Sequence, residues 1–232
     1  MTGNRGTSIK LKSVYKRLFQ CYGSQHWWPG ETPFEVMVGA ILTQSAAWTN
    51  VEKAIANLKA AGTLSAPAIR ELPLTDLAKL IYSSGYYNAK AKKLKALVEL
   101  LGGYGDDLSR LDIWETGELR QKLLGVLGIG PETADSILVY ALRRPVFVID
   151  AYTRRLFARL GIKPDTDTYD EWQTLFLENL SIDSQLFNEY HALIVRHSKE
   201  KCGKRQQCEG CCLSKDCLEP KVHTSTGSRR TD

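Results

Sequence analysis

Cysteines near the C-terminus are the residues of this chain whose type and spacing most clearly suit chemistry. Five of the six cysteines fall between positions 202 and 217. Four of them have the spacing C-x5-C-x2-C-x5-C, namely Cys202, Cys208, Cys211 and Cys217. Thiolates this close in sequence can surround one soft metal centre. The segment is rich in lysine, arginine, glycine and glutamine and can bury little apolar surface, so a zinc ion or an iron–sulfur cluster would have to fold it.

Disulfide bonds are the alternative for these cysteines, but the rest of the chain does not look like a secreted protein. Residues 1–7 are polar and lack the apolar core of a signal peptide, and no apolar run reaches the ~20 residues of a membrane span. We therefore expect a cytoplasmic protein (nucleoid-associated in a prokaryote) with metal-bound cysteines and no membrane partner. The spacing by itself leaves zinc and [4Fe–4S] open.

A glycine-containing turn is the second chemical feature. Residues 124–134 read LGVLGIGPETA, in which Gly128, Ile129 and Gly130 separate two helical segments. Glycine permits a positive φ, Ile129 can fill the gap between the helices, and Pro131 suits the first position of the second helix. The N–H groups of such a turn can bind an anion such as a DNA phosphate, although a plain helical turn has the same pattern.

An aspartate, Asp150, is the third feature. It follows the apolar residues 146–149 and precedes a helical segment that begins at Ala151. An aspartate in this place can simply cap the helix. It can also activate a water molecule, or stabilise positive charge on a sugar as its base departs.

The elements that must position these residues are predicted to be helices. Apolar side chains recur at helical spacing through most of the chain, and capping-box patterns at Thr32–Glu35 and Thr168–Glu171 mark two helix starts. The strand-like residues 146–149 are too short for a sheet, so we predict an all-α protein with short loops. Further helices are expected at about 48–61, 75–83, 88–102, 116–125 and 183–199.

The bulk composition sets wide limits on size and partners. A length of 232 residues, 43% of them hydrophobic, suits one large domain or two small ones. The net charge of +5 permits a nucleic-acid partner without requiring one.

Taken in order, the hairpin Leu124–Ala134, the segment Val148-Ile149-Asp150 and the four-cysteine loop resemble the helix-hairpin-helix DNA glycosylases of the endonuclease III superfamily. The resemblance implies two helical lobes, a C-terminal iron–sulfur cluster loop and a monomeric protein. The expected ranges are a central helical barrel at 31–145 with the hairpin at 118–140, a second lobe from 8–30 plus 146–221 with the cluster loop at 202–217, and disordered tails at 1–7 and 222–232.

The same resemblance implies roles for particular residues. Asp150 corresponds to the catalytic carboxylate, and Gly128, Ile129 and Gly130 to the turn that holds a phosphate. Gln44, in the run Leu42-Thr43-Gln44, corresponds to the glutamine that enters the duplex where a damaged nucleotide is flipped out. The implied partner is double-stranded DNA containing a damaged base, and the implied cofactor is a [4Fe–4S] cluster on Cys202, Cys208, Cys211 and Cys217.

Glu132 is the main departure from the family pattern. Bifunctional members carry a lysine two residues after the second hairpin glycine, and that amine forms a Schiff base with the sugar. A carboxylate cannot, so the chain is predicted to be a monofunctional glycosylase that uses water. Glu132 is expected to face the pocket of Asp150, where a pair of carboxylates would favour an alkylated purine. The alternative is that Glu132 only complements the N-terminus of its helix.

A further similarity concerns aromatic residues, and a second departure concerns the cysteine loop. Trp27-Trp28-Pro29 resembles a segment of 3-methyladenine DNA glycosylase III, so Trp27, Trp28 and Trp48 are expected to stack on the flipped base or to pack in the core. The first cysteine spacing is one residue shorter than the family's, and Cys212 could compete as a ligand. The rival functions are a bifunctional glycosylase/AP lyase that uses another amine, such as Lys122, a non-catalytic DNA-binding module, and a zinc protein without a repair role.

Overall fold

The structure, a computed structural model, describes residues 5–219, and in this range the chain folds into α-helices joined by short loops. Residues 5–219 contain no β-strand beyond one isolated bridge, between Cys202 and Gln206. The prediction of an all-α protein is therefore confirmed. The helices are α1 (Arg5–Tyr22), α2 (Pro33–Leu42), α3 (Trp48–Ala60), α4 (Ala66–Glu71), α5 (Leu74–Leu80), α6 (Tyr87–Gly102), α7 (Thr116–Leu124), α8 (Pro131–Ser136), α9 (Ala151–Arg159), α10 (Tyr169–Leu177) and α11 (Ser184–Glu200).

The N-terminal tail is shorter than expected. Helix α1 begins at Arg5, so residues 5–7 are helical, and their assignment to a disordered tail is wrong. They continue the amphipathic pattern of α1, whose buried side chains begin at Leu11. The rest of that tail, residues 1–4, and the whole predicted tail at 222–232 lie outside the described residues.

Local capping starts two of the helices where the sequence predicts. The hydroxyl of Thr32 accepts a hydrogen bond from the Glu35 backbone N–H at 3.1 Å, and Thr168 accepts one from Glu171 at 3.2 Å. The Glu35 carboxylate accepts from the N–H of Glu31 rather than from that of Thr32, and it also pairs with Lys59 at 3.0 Å. The first capping box is thus replaced by a wider network that joins α2 to α3.

Three segments show features that their sequence patterns did not predict. Residues 146–149 are buried, belong to no helix or strand, and lead directly into Asp150. Helix α8 passes without a break into a π-helical turn at Ile137–Ala141. The short helix α4 has no clear apolar periodicity and was not predicted; Ser65 caps it, and Pro67 lies in its first turn.

The chain divides into two compact units. Within residues 5–219, one contains 5–25, 149–181 and 189–219, and the other contains 26–148 and 182–188. The units thus divide at 25/26 and 148/149, whereas the sequence analysis placed the boundaries at 30/31 and 145/146. Residues 182–188, which the sequence analysis assigned to the lobe with the cysteine loop, group instead with the unit that contains the hairpin.

Each unit has its own core. In the hairpin unit, every residue of α2 from Glu35 to Leu42 is buried, and α3, α6 and α8 pack around this helix. In the other unit, the fully buried ring of Tyr190 lies 5.1 Å from the Tyr15 ring and 6.2 Å from the Phe157 ring. Its hydroxyl donates to the backbone oxygen of Leu11 at 2.7 Å, which satisfies the one polar atom of this core residue.

A buried ion pair joins the two helices of the hairpin. Arg120 of α7 donates two hydrogen bonds to the carboxylate of Asp135 in α8, at 2.7 and 3.2 Å. The Asp135 side chain is fully buried and that of Arg120 is 15% exposed. Removing one partner of such a pair leaves an uncompensated charge in a dry site.

Replacing Arg120 with methionine should therefore lower the free energy of unfolding by about 3–5 kcal/mol, as measured by urea denaturation. The matched control is Arg144→Met, which removes the same side chain from a pair whose partner, Asp112, is 73% exposed. Its cost should be below about 1 kcal/mol. The double variant Arg120→Met/Asp135→Leu should regain most of the lost stability. If it stays as unstable as Arg120→Met, the hairpin needs the packing of Arg120 rather than its charge.

Candidate functional site

The loop of the hairpin contains one left-handed glycine, and it is the first of the pair. Gly128 has φ +76°, whereas Gly130 has φ −92° and ψ 179°, which is extended backbone. The sequence permits a positive φ at both glycines, and only Gly128 has one. Ile129 between them is 4% exposed and packs under the turn as predicted. A Cβ at Gly130 would meet nothing within 4 Å, so the space on that side of the turn is open.

Gln44 is attached to this hairpin by its side chain. Its amide nitrogen donates to the Gly128 carbonyl at 3.1 Å and to the Thr133 hydroxyl at 2.9 Å, and its amide oxygen accepts from the Lys93 ammonium. The side chain of Lys93 also lies where a Cβ on Gly128 would be, at 2.4 Å. Without DNA, the Gln44 side chain is therefore held by three hydrogen bonds. These bonds must break before Gln44 can enter a DNA duplex.

The sequence analysis did not identify two lysines of α6 that hold Gln44 and the end of α2 in place. Lys90 is 1% exposed, and its ammonium donates to the carbonyls of Leu42 and Ser84 at 2.8 and 2.6 Å. Burial, together with the charge of Lys93, lowers the pKa of Lys90 to about 8. Just before α6, Tyr86 has φ +45° and is 75% exposed. The only sequence signal for this group was a run of lysines on α6, which resembles an ordinary solvated face.

The three tryptophans form a cluster. The Trp48 ring lies 4.9 Å from that of Trp27 and 5.3 Å from that of Trp28, both edge to face. Trp28 and Trp48 line a cavity of about 170 Å³ together with Pro29, Glu35, Glu52 and Lys59. The indole N–H of Trp48 donates to the Glu52 carboxylate at 2.8 Å. The aromatic rings therefore pack on each other and also border an open space with polar groups on one side.

Asp150 is the N-cap of α9 and is 8% exposed. One carboxylate oxygen accepts from the Thr153 backbone N–H at 2.7 Å, and the other lies 3.4 Å from His191 Nε2. Burial raises the pKa of Asp150, but the charge of His191 and the hydrogen bonds from His191 and Thr153 outweigh it, so the pKa lies below its ordinary value. The capping role is thus observed, and the group is an ionised carboxylate at neutral pH.

Glu132 and Lys122 were the other residues considered for chemistry. Glu132 is exposed in the first turn of α8, where a negative charge complements the helix N-terminus. The Lys122 ammonium lies 3.7 Å from the centre of the Trp114 ring, in a cation–π contact. That contact places the amine of Lys122 against an indole of its own unit.

The four cysteines of the C-x5-C-x2-C-x5-C segment line one cavity. Its other lining residues include Leu156 and Leu160 of α9, and Cys212 is not among them. Within residues 5–219, no three His, Cys, Asp or Glu side chains are arranged to hold a single metal ion. The chemistry of four soft thiolates around one cavity, with leucine side chains beside them, fits an iron–sulfur cluster.

Neighbouring groups would stabilise thiolates in this cavity. The guanidinium of Arg159 lies 3.1 Å from the Cys202 sulfur, and His197 Nε2 lies 3.7 Å from the Cys211 sulfur. The other ring nitrogen of His197 bonds the Tyr22 hydroxyl at 2.9 Å. His197 therefore hydrogen-bonds through both of its ring nitrogens, and Arg159 is a contact that the sequence did not reveal.

Comparison with known proteins identifies similar chains over most of the length. Residues 38–181 match the family model described as HhH-GPD superfamily base excision DNA repair protein. A protein of Methanocaldococcus jannaschii, named as a candidate DNA repair glycosylase, is 46% identical over 211 residues, which cover 90% of this chain and 96% of the relative. Endonuclease III of Sulfolobus acidocaldarius is 26% identical over 186 residues, covering 79% and 81% of the two chains.

Solved structures include two informative neighbours. The 3-methyladenine DNA glycosylase of H. pylori, bound to 1,N6-ethenoadenine, has a TM-score of 0.69 and 30% identity and covers 87% of this chain and 99% of its own. A non-covalent endonuclease III–DNA complex has a TM-score of 0.78 at 20% identity and covers 92% and 96%. The second likeness shows the fold alone. No helix within residues 5–219 is long and apolar enough to cross a membrane.

The lowered pKa of Asp150 predicts a specific acid sensitivity. Its stabilising contribution is complete above the ordinary aspartate pKa of about 4 and is lost as pH falls through the lower pKa of the folded state. Asparagine can replace aspartate as an N-cap, so Asp150→Asn should remain folded at neutral pH. Its free energy of unfolding should fall less than that of the parent between about pH 6 and pH 3.

Chemical denaturation across that pH range measures the difference. The control is Asp76→Asn, which removes an exposed aspartate that pairs only with Lys79 three residues along its own helix. Its profile should follow the parent. A profile of Asp150→Asn as steep as the parent's would show that the Asp150 carboxylate does not carry this acid sensitivity.

Proposed function

The chain belongs to the HhH-GPD superfamily of base excision DNA repair proteins, which makes it a DNA glycosylase, and from this we propose that it is monofunctional and removes alkylated purines from double-stranded DNA. The observation that carries the proposal is a buried, ionised Asp150 in a chain that has Glu132 where lyase members have an amine. Without that amine, water is the nucleophile that attacks the sugar.

Asp150 acts in this proposal as an electrostatic group. As the N-glycosidic bond breaks, positive charge develops on the deoxyribose, and a carboxylate that stays ionised stabilises it. Because its pKa is lowered, Asp150 is a poor proton donor at neutral pH but can orient the attacking water. The hydrogen bonds from Thr153 and His191 fix the orientation of the carboxylate before the substrate binds.

DNA binding is assigned to the hairpin surface. Gly128 and Gly130 present backbone N–H groups to a phosphate, whereas the Ile129 N–H donates to the Val126 carbonyl at 3.1 Å, and the open space at Gly130 permits a close approach. Gln44 would exchange its bonds with the hairpin for contacts inside the duplex. Lys93 stands beside it as a counter-charge for the DNA backbone, and the exposed ring of Tyr86 is available for stacking on a base.

Recognition of the damaged base is assigned to the tryptophan cluster. Trp27, Trp28 and Trp48 offer electron-rich faces, and the cavity beside them is comparable in size to a nucleobase. An alkylated purine that carries a positive charge is attracted by such rings. The similar H. pylori enzyme was solved with a modified adenine, which supports a purine. The carboxylate of Glu132 would add to the preference for a positively charged base.

The cysteine loop is assigned to a [4Fe–4S] cluster held by Cys202, Cys208, Cys211 and Cys217. When bound, the cluster supplies the cross-link that folds a segment with little apolar core. The guanidinium of Arg159 lies beside the Cys202 sulfur and offsets its charge, and the His197 ring lies beside the Cys211 sulfur. The loop serves the fold in this proposal and takes no part in breaking the glycosidic bond.

Excision assays on a panel of duplexes test the chemistry. The parent should release an N-alkylated purine and leave an abasic site whose strand breaks only after alkali, with no borohydride-trapped adduct. Asp150→Asn should bind the same duplex and excise at least about 100-fold more slowly. Glu132→Gln should slow release of the alkylated purine more than that of an oxidised pyrimidine. Strand cleavage without alkali, or a trapped adduct, would show that the chain is a bifunctional glycosylase/AP lyase. Excision by Asp150→Asn at the parent rate would show that Asp150 serves only as the N-cap of α9.

A matched pair of glycine substitutions tests the phosphate site. Gly130→Ala should keep the fold, because its φ is negative and the space is open, but it should weaken binding about fivefold to tenfold on all duplex sequences alike. Gly117→Ala is the control, since that glycine also faces open space and lies in α7 away from the turn. Fluorescence anisotropy with damaged and undamaged duplexes measures both. Equal affinity of the two variants would remove the hairpin from the DNA contact.

A further inference from the structure

Three segments of the hairpin unit meet at the side chain of Gln44. Its amide nitrogen donates to the Gly128 carbonyl at 3.1 Å and to the Thr133 hydroxyl at 2.9 Å, and its amide oxygen accepts from the Lys93 ammonium. Gln44 lies just after α2, Lys93 lies in α6, and Gly128 and Thr133 belong to the hairpin. Both N–H donors of the amide, and its oxygen, are thus bound to the protein itself.

The backbone beside Gln44 is fixed, so its side chain is the part that moves between the hairpin and a duplex. The buried ammonium of Lys90 donates to the Leu42 carbonyl at 2.8 Å, two residues before Gln44. The backbone N–H of Gln44 donates to the Ile41 carbonyl at 3.3 Å. Entry of Gln44 into a duplex therefore requires rotation of the side chain away from its three partners.

Lys93 is the charged member of this group, and its aliphatic chain lies directly on the hairpin turn. A Cβ at Gly128 would lie 2.4 Å from Lys93 Cε and 2.6 Å from Lys93 Cδ. Gly128 thus leaves room for Lys93 because it has no side chain. The ammonium that binds Gln44 therefore stands beside the same turn that is assigned to a DNA phosphate.

We propose that Lys93 is a positioning residue that holds Gln44 against the hairpin in the DNA-free protein and releases it when a DNA phosphate binds the Lys93 ammonium. Both steps depend on the proposed function, which assigns a phosphate to the turn and Gln44 to the duplex. A phosphate carries a full negative charge, whereas the amide oxygen of Gln44 carries a partial one, so the ammonium exchanges a weaker acceptor for a stronger one. Gln44 then keeps only its two neutral hydrogen bonds.

Removal of the Lys93 ammonium should have opposite effects on binding and on insertion. Affinity for DNA should fall, because one contact with the backbone is lost. Insertion of Gln44 should become faster, because its only bond to a charged group is lost. A substitution that merely loosened the fold would weaken binding and slow insertion together.

Stopped-flow fluorescence measures insertion on a duplex that contains an uncleavable abasic-site analogue with 2-aminopurine beside it. Lys93→Met keeps an aliphatic chain against Gly128 and removes the ammonium. Its concentration-independent phase should be about tenfold faster than that of the parent, as expected for the loss of one hydrogen bond to a charged group. The slope of log affinity against log salt concentration should become shallower by about 0.9, the value for one phosphate contact.

Lys92→Met is the matched control, because Lys92 is an exposed lysine of the same helix and its loss changes the net charge equally. This variant should insert Gln44 at the parent rate. Lys93→Arg keeps the positive charge and should restore both the slower insertion and the parent salt slope. In the Gln44→Ala background, Lys93→Met should still reduce the salt slope but should no longer change the fluorescence kinetics.

Insertion by Lys93→Met at or below the parent rate would overturn the proposal, and so would an unchanged salt slope. If the parent and Gln44→Ala give the same fluorescence kinetics, Gln44 does not enter the duplex, and its role in the proposed function fails together with that of Lys93. If the signal requires Gln44 but not Lys93, only the role of Lys93 is disproved. Because the abasic-site analogue is not cleaved, none of these results depends on the damaged base or on excision.

Discussion

A buried ion pair between Arg120 and Asp135 fixes the two helices of the hairpin, and the rest of the candidate DNA-binding surface depends on it. A fully buried carboxylate is tolerated only because two directed hydrogen bonds satisfy it. With α7 and α8 held, the turn between them can adopt the left-handed Gly128 and the extended Gly130 that leave backbone N–H groups uncovered. Gln44 and Lys93 then bind to a turn whose shape is already set.

Asp150 shows how structural and chemical demands can be met by one carboxylate. As an N-cap it must accept hydrogen bonds, and those bonds favour the charged form that stabilisation of a sugar cation requires. Burial opposes ionisation, and the nearby His191 compensates for it. The contacts that cap α9 therefore also keep the carboxylate ionised and fix its orientation.

The cysteine loop divides its thiols into two groups with different chemistry. Four of them line one cavity beside Arg159 and His197, which is an environment for thiolates bound to a metal cluster. Cys212 lies next to Cys211 in sequence, yet it is not among the residues that line this cavity. Adjacent cysteines can thus have different environments, because consecutive side chains of an irregular loop point in different directions.

The sequence by itself determined the all-α class, the helix starts at Thr32 and Thr168, the buried Ile129 and the capping position of Asp150, because each is set by residues within one or two turns of the chain. It also identified the four-cysteine pattern and the presence of Glu132 where lyase members have a lysine. Only the tertiary structure decided which glycine is left-handed, that Lys93 and Gln44 bind each other beside the hairpin, that Lys90 is buried, and that Arg159 contacts Cys202. Those features join segments far apart in sequence, and no local pattern encodes which distant side chain fills a given space.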